Sequence, residues 1–133
     1  MTGETSLDAL LRHMKPELDP EAYVFCSFGD RSLAELAALD PLGLFRESEG
    51  VTAILTAEEA DRLGQGSSPC FRRITLTVHS SLEAVGLTAA ISKALADAGI
   101  SANVVAAFYH DHVFVPEHTA EAALGVLKGV SET

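Results

Sequence analysis

Basic residues are scarce in this chain. Nine Lys and Arg stand against nineteen Asp and Glu, giving a formal net charge of −10. Phosphate backbones are held by concentrated basic surface, so nucleic acid is excluded as a partner. Cysteine is nearly absent too. Cys26 and Cys70 are far apart in sequence and lie among apolar residues, which fits small core side chains better than a disulfide framework or a zinc site. Long apolar runs are missing: none approaches the roughly 20 residues of a membrane-spanning helix. The N-terminus lacks a basic stretch followed by an apolar run and a small-residue cleavage site, so neither export nor membrane insertion is indicated. A cytoplasmic protein with no membrane partner and no cofactor is expected.

What is present can bury one ordinary core. The chain has 133 residues, 47% of them hydrophobic, enough for one domain or two very small ones. Its charge is uneven, with thirteen acids against five bases up to Gly66 and six against four beyond it. Acidic solubility explains this imbalance more simply than an acidic docking surface does.

One order of elements occurs twice. Ala22–Phe28 carries aromatic and β-branched residues and stops at Gly29-Asp30, which predicts a strand entering a turn. A short helix opens at Ser32. Phe45–Glu47, the Ser48-Glu49-Gly50 turn and Val51–Leu55 predict a hairpin, and a second helix runs from Thr56 to before Gly64. Beyond the loop Gly64–Pro69 the order returns: strand 71–79, helix 82–98, strands 101–109 and 113–116, and helix 119–130. Ser32 with Glu35, Thr56 with Glu59 and Ser80 with Glu83 each fit the capping box, in which paired side chains satisfy backbone donors at a helix start.

In the long helix, Ala84, Leu87, Ile91, Ala94, Leu95 and Ala98 recur at three- and four-residue intervals, an apolar stripe suited to lying on a sheet. Crossovers between parallel strands are right-handed, so the simplest architecture is α+β: two ferredoxin-like βαββα units with mostly antiparallel sheets covered by helices. The expected division is 1–66, with a leading helix, and 67–133. Neither half shows a fourth strand of its own, and open sheet edges invite pairing. The halves are therefore expected to lend strands to each other or to a second chain.

The turn at Val85-Gly86 and the exit Ala98-Gly99-Ile100 carry a resemblance. The stretch from Gly86 to Ile100 resembles the ACT domain, in which a Pro-Gly turn opens the first helix and Ala-Gly-Ile-Asn-Ile leads out of it. Here Val85 replaces the Pro, and Ser101-Ala102 stand where Asn-Ile is usual, with Asn103 one position late. The second half matches well, and the first half matches in element order. As a whole the chain is similar to small stand-alone bacterial tandem-ACT proteins, and its layout resembles the ACT pairs of aspartate kinases and CASTOR-type arginine sensors. The resemblance implies a non-catalytic regulatory module that binds a small amino acid or related metabolite between ACT units, as a homodimer, with a regulated protein as a further partner.

The candidate ligand site is the strand-to-helix loop with His79, Ser80, Ser81, Glu83, Val85 and Gly86. Amides at a helix start and small hydroxyls can hold a carboxylate, and a glycine permits close backbone approach. An exposed helix terminus contributes only about 0.3 to 1 kcal/mol to anion binding, whereas micromolar affinity needs about 8. More contacts are required. Asn103 can both donate and accept, and Asp111 can meet an ammonium group.

Two other chemistries are weighed against this one. His110-Asp111-His112, with His79 and His118, offers metal-ligand types, but the first three sit where a hairpin must turn and no second pair has diagnostic spacing, so no metal is assigned. No phosphate loop, nucleophile elbow or cysteine motif occurs, so no catalytic residue is assigned either. The alternatives to a metabolite sensor are a ligand-free assembly module and a small enzyme. Convergence of His79, Asp111 and His112 in one cleft would mark the enzyme.

Overall fold

A computed structural model describes residues 6–79 and 85–132. The elements in order are α1 (Leu7–His13), β1 (Pro16–Phe28), α2 (Leu33–Ala37), β2 (Gly43–Glu47), β3 (Gly50–Thr56), α3 (Ala57–Arg62), β4 (Phe71–Leu76), α4 (Leu87–Asp97), β5 (Asn103–Ala106), β6 (Asp111–Pro116) and α5 (Ala120–Glu132), with a 3₁₀ turn at Glu117–Thr119 before α5. They form two compact units. The larger comprises Met1–Pro20 with Arg72–Thr133, and the smaller Glu21–Phe71.

In the large unit the strand order is β1, β4, β6, β5, with the Pro16–Pro20 half of β1 at one side. That half supplies the fourth strand, so for this unit the strand is lent within the chain. The strand expected from Ala22 thus starts six residues earlier, at Pro16, and includes two prolines that cannot donate to a ladder. Leu18 nevertheless packs on the large unit's core, and Asp19 is tied to β4 by its carbonyl, which accepts from Arg72 Nε at 2.9 Å, and by an ion pair with Arg73 at 2.9 Å. Lys15, at φ 39°, makes the tight turn between α1 and β1. The Met14 carbonyl beside it accepts from the Thr77 amide at 2.7 Å.

The helices cover one face of this sheet. Ile74 and Leu76 of β4 and Val113 and Val115 of β6 face Leu87, Ile91 and Leu95 of α4 and Ala120, Ala123 and Leu127 of α5, all buried. Leu10 and Met14 bring α1 into the same core, although chain order had placed the leading helix with the N-terminal unit. Fully burying a side chain of this size contributes about 1.5–3 kcal/mol, which explains why α1 docks on this larger apolar surface. At the exit of α4, Gly99 donates to the Ala96 carbonyl and Ile100 to the Leu95 carbonyl, both at 2.9 Å. These are the two bonds of a Schellman stop, and buried Ile100 shares the core with Leu95.

The predicted α4 is longer than the observed one. It starts at Leu87 rather than Leu82, with Gly86 as N-cap at φ 99°, and residues 80–84, including the Ser80–Glu83 capping pair, lie outside the described residues. Likewise β4 ends at Leu76, short of His79, and β5 spans only Asn103–Ala106, because Ala107 already turns back to donate to the His110 carbonyl at 3.1 Å.

In the small unit β3 lies between β2 and β1, antiparallel to both, with Val24 opposite Leu55 and Phe45 opposite Thr52. Its core holds Val24, Cys26, Phe28, Leu36, Val51, Ala53, Leu55 and Ala60. Ser32 completes a full capping box with Glu35, its Oγ accepting from the Glu35 amide at 3.1 Å while Glu35 Oε1 accepts from the Ser32 amide at 3.0 Å. Thr56 Oγ1 accepts from the Glu59 amide at 3.2 Å. Burial of Cys26 pushes its thiol up from the ordinary value, and Cys70 packs against the same cluster. Among the described residues no helix is long and apolar enough to cross a membrane.

Candidate functional site

The loop between β4 and α4 leaves the sheet beside the β5–β6 hairpin. The His79 ring packs at a tilt against Tyr109, with ring centroids 5.2 Å apart and planes 52° apart, and His110 Nδ1 lies 3.1 Å from the Val78 carbonyl. A carbonyl can only accept, so this nitrogen carries the proton of the contact. Phe108 packs edge-on against Tyr109 at 5.0 Å, leaving both rings outward, 62% and 59% exposed. The loop's entry and the hairpin tip are thus joined by a row of rings.

Asp111 stands at the turn end of the same hairpin, opposite Ala106, and is only 8% exposed. It shares the helix-covered face with Val113 and Val115, since alternate residues of a strand point the same way. Asn103 does not join it. It lies at the far end of the ladder opposite Phe114, about 10 Å along β5, and on the other face, because its neighbour Val104 is the residue that packs on the core.

Val85 is exposed just before the helix start. Gly86 is favoured by its φ of 99°, and a Cβ there would come 3.2 Å from Leu7 Cδ2, so that the leucine tip would have to shift by a few tenths of an ångström. Its close approach is to hydrocarbon of α1. Ser80, Ser81 and Glu83 lie outside the described residues. Of the predicted ligand residues, the structure therefore gathers His79 and Asp111 at the hairpin end, sets Val85 and Gly86 at the start of α4, and holds Asn103 apart.

The histidines diverge from the enzyme-like cluster. His112 turns to β4, its Nδ1 2.9 Å from Thr75 Oγ1, on the face away from Asp111. Burial, then the Arg73 guanidinium and His110, hold its pKa below the ordinary histidine value. Among the described residues no three His, Cys, Asp or Glu side chains are grouped to hold a metal ion.

Sequence reasoning missed a hollow in the small unit. A shallow, open depression of about 520 Å³ is bordered by Gly29, Ser32 and Leu33 of the β1–α2 turn and by Arg46, Glu49 and Gly50 of the β2–β3 hairpin. This turn is the small unit's counterpart of the β4–α4 loop, and Gly29-Asp30 before a capping serine was the available signal. Its amides are partly committed, since Glu35 already fills the helix start, and the Ser32 backbone and hydroxyl bonds hold the Glu35 carboxyl below its usual range.

Comparison with known proteins agrees with this architecture. One ACT-domain profile matches residues 2–72 and a second matches residues 72–129. A Vibrio cholerae protein of unknown function, described as a possible transport protein, is 53% identical over 91% of this chain and 92% of its own, with a TM-score of 0.83. The regulatory subunit of aspartate kinase from Thermus flavus superposes with a TM-score of 0.60 at 12% identity, over 86% of this chain and 95% of that one. The ligand-free regulatory subunit from Thermus thermophilus gives 0.61 at 14%, with the same coverages. At such identities the likeness is one of fold. No curated protein matches the sequence.

Proposed function

Because the chain belongs to the ACT-domain family and carries two such domains in tandem, we propose that it is a non-catalytic cytoplasmic regulatory module that binds a small amino acid or related metabolite and works as a homodimer. The observation that carries this reading is the tandem itself, an arrangement the aspartate kinase regulatory subunits share in fold. In the large unit the binding residues are His79, Ser80, Ser81, Glu83, Val85, Gly86 and Asp111, with Asn103 contributing where a second unit meets the sheet. The ligand carboxylate is held by the loop's amides and hydroxyls, and Asp111 meets the ammonium group. The small residues around the turn suit a ligand of few atoms.

Regulation follows from differential binding. A metabolite that fits one arrangement of the units better than another shifts the population by that difference and no more. The test is a thermal-shift and calorimetry screen against amino acids. A ligand at 100 times its Kd adds about 2.7 kcal/mol of stability, a rise in melting temperature easily resolved. Gly86→Asp is expected to weaken the response. No stabilisation by any amino acid at millimolar concentration would overturn the reading. An assembly module that works without ligand is the second reading, favoured by the outward Phe108 and Tyr109.

A further inference from the structure

We infer that α1 is a latch on the metabolite site: Leu7, in its first turn, fills the space a ligand needs beside Gly86, and binding requires that turn to lift while the second turn stays anchored. The inference rests on the reading above that the Val85-Gly86 bend takes the ligand, and it adds how access to that bend is regulated.

A glycine lets a ligand come close to the backbone. Here that approach is already taken. The three atoms nearest to a Cβ built on Gly86 are Cδ2, Cδ1 and Cγ of Leu7, at 3.2, 3.6 and 3.9 Å, so the outer carbons of one leucine cover this side of the bend. At Gly50, by contrast, the nearest atoms belong to the Phe28 and Gly29 backbone. A cover made of a flexible side chain can withdraw, and one made of backbone cannot.

The anchoring of α1 is one-sided. In its second turn and just beyond, Leu10 and Met14 are fully buried, the Arg12 carbonyl accepts from Ser131 Oγ at 3.2 Å, and the Lys15 carbonyl accepts from Thr77 Oγ1 at 3.0 Å. The Thr77 amide holds the Met14 carbonyl as well. In the first turn Asp8 is exposed and Leu7 is 36% exposed. A helix of seven residues nucleates poorly by itself, so its first turn stays wound only through what Leu7 packs against. Ligand and Leu7 compete for the same side of Gly86. Apparent affinity is then lowered by the fraction of molecules in which the turn is closed, and binding is converted into release of one turn of helix.

The experiment combines amide exchange by NMR without ligand and a calorimetric screen of the twenty amino acids, each at 10 mM or below, on the wild type and on Leu7→Ala. Three amides read the parts: Leu10, bonded to the Ser6 carbonyl, reports the first turn; Ala90, bonded to the Gly86 carbonyl, reports the bend; Thr77 reports the anchor. In the wild type Leu10 should exchange faster than Thr77. Removing the outer carbons of this partly buried side chain should quicken Leu10 and Ala90 about tenfold, leave Thr77 unchanged, and tighten amino-acid binding by a similar factor. Leu124→Ala, which trims the same core from α5, should leave the Leu10 and Ala90 rates unchanged. Circular dichroism confirms folding, and Leu7→Val replaces Leu7→Ala if that chain does not fold. An unchanged Ala90 rate, Leu10 and Thr77 quickening together, or the same response to Leu124→Ala overturns the latch. Binding of equal strength in both chains overturns the latch alone, whereas a screen in which neither chain binds any amino acid overturns the metabolite reading and the latch with it.

Discussion

The two units repeat one order of elements at different scales. In the large unit α4 and α5 have eleven and thirteen residues, whereas α2 and α3 of the small unit have five and six. Helices of one or two turns cannot hold themselves in water, because nucleation consumes most of what their few bonds return. The small unit must therefore rely on its caps and on the β1–β3 ladder. The large unit can rely on burial, with thirteen residues in its described core against eight. Two copies of a motif can thus have different weak points.

Substitutions can break or sharpen that contrast. The largest effect is expected from Leu95→Ala: this side chain is fully buried between α4 and the sheet, and removing it should cost about 2–5 kcal/mol. Urea denaturation checks it, and the contrast fails if the loss is below about 1 kcal/mol. Gly50→Ala comes next and strikes the small unit. Its Cβ would sit 2.6 Å from the Phe28 carbonyl oxygen at a φ of 144°, so about 1–3 kcal/mol should be lost. Amide exchange should quicken on β1 and β3 and leave α4 unaffected.

Ser32→Ala removes one half of the capping box and should cost about 1 kcal/mol, concentrated in the five-residue α2. If exchange in α2 were unchanged, the dependence of the small unit on its caps would be refuted. The smallest effect concerns pH. The folded pKa of His112 lies below the ordinary 6.5, so the unfolded chain binds its proton more readily. Stability is therefore retained above that value and declines as pH falls from 6.5 towards the folded pKa. His112→Phe should flatten this part of a stability-against-pH curve, and an identical slope in the variant would show that other groups produce it.

Much of the frame was legible from local signals. The Ala98-Gly99-Ile100 stop, the Ser32–Glu35 box and the Leu87, Ile91, Leu95 stripe act over a turn or two, and each occurs where its residues require. Legibility ended where a residue's role depends on distant partners. Residues 16–20 lie outside the expected strand, yet in the large unit they lie beside β4, which begins more than fifty residues later. Asn103 and Asp111 look like neighbours on one hairpin, and only strand alternation and ladder position show them on opposite faces.

By itself, then, the sequence determined the element types, the Ser32 helix start, the Gly99 helix stop and the repeated order, because hydrophobic period, caps and turn residues are properties of neighbours along the chain. Tertiary structure alone decided that α1 and the first half of β1 join the C-terminal elements, that Gly86 faces Leu7, and that β5 is left as an uncharged edge. These depend on which apolar surfaces are large enough to recruit a distant segment, a competition settled by total buried area and invisible to any local window.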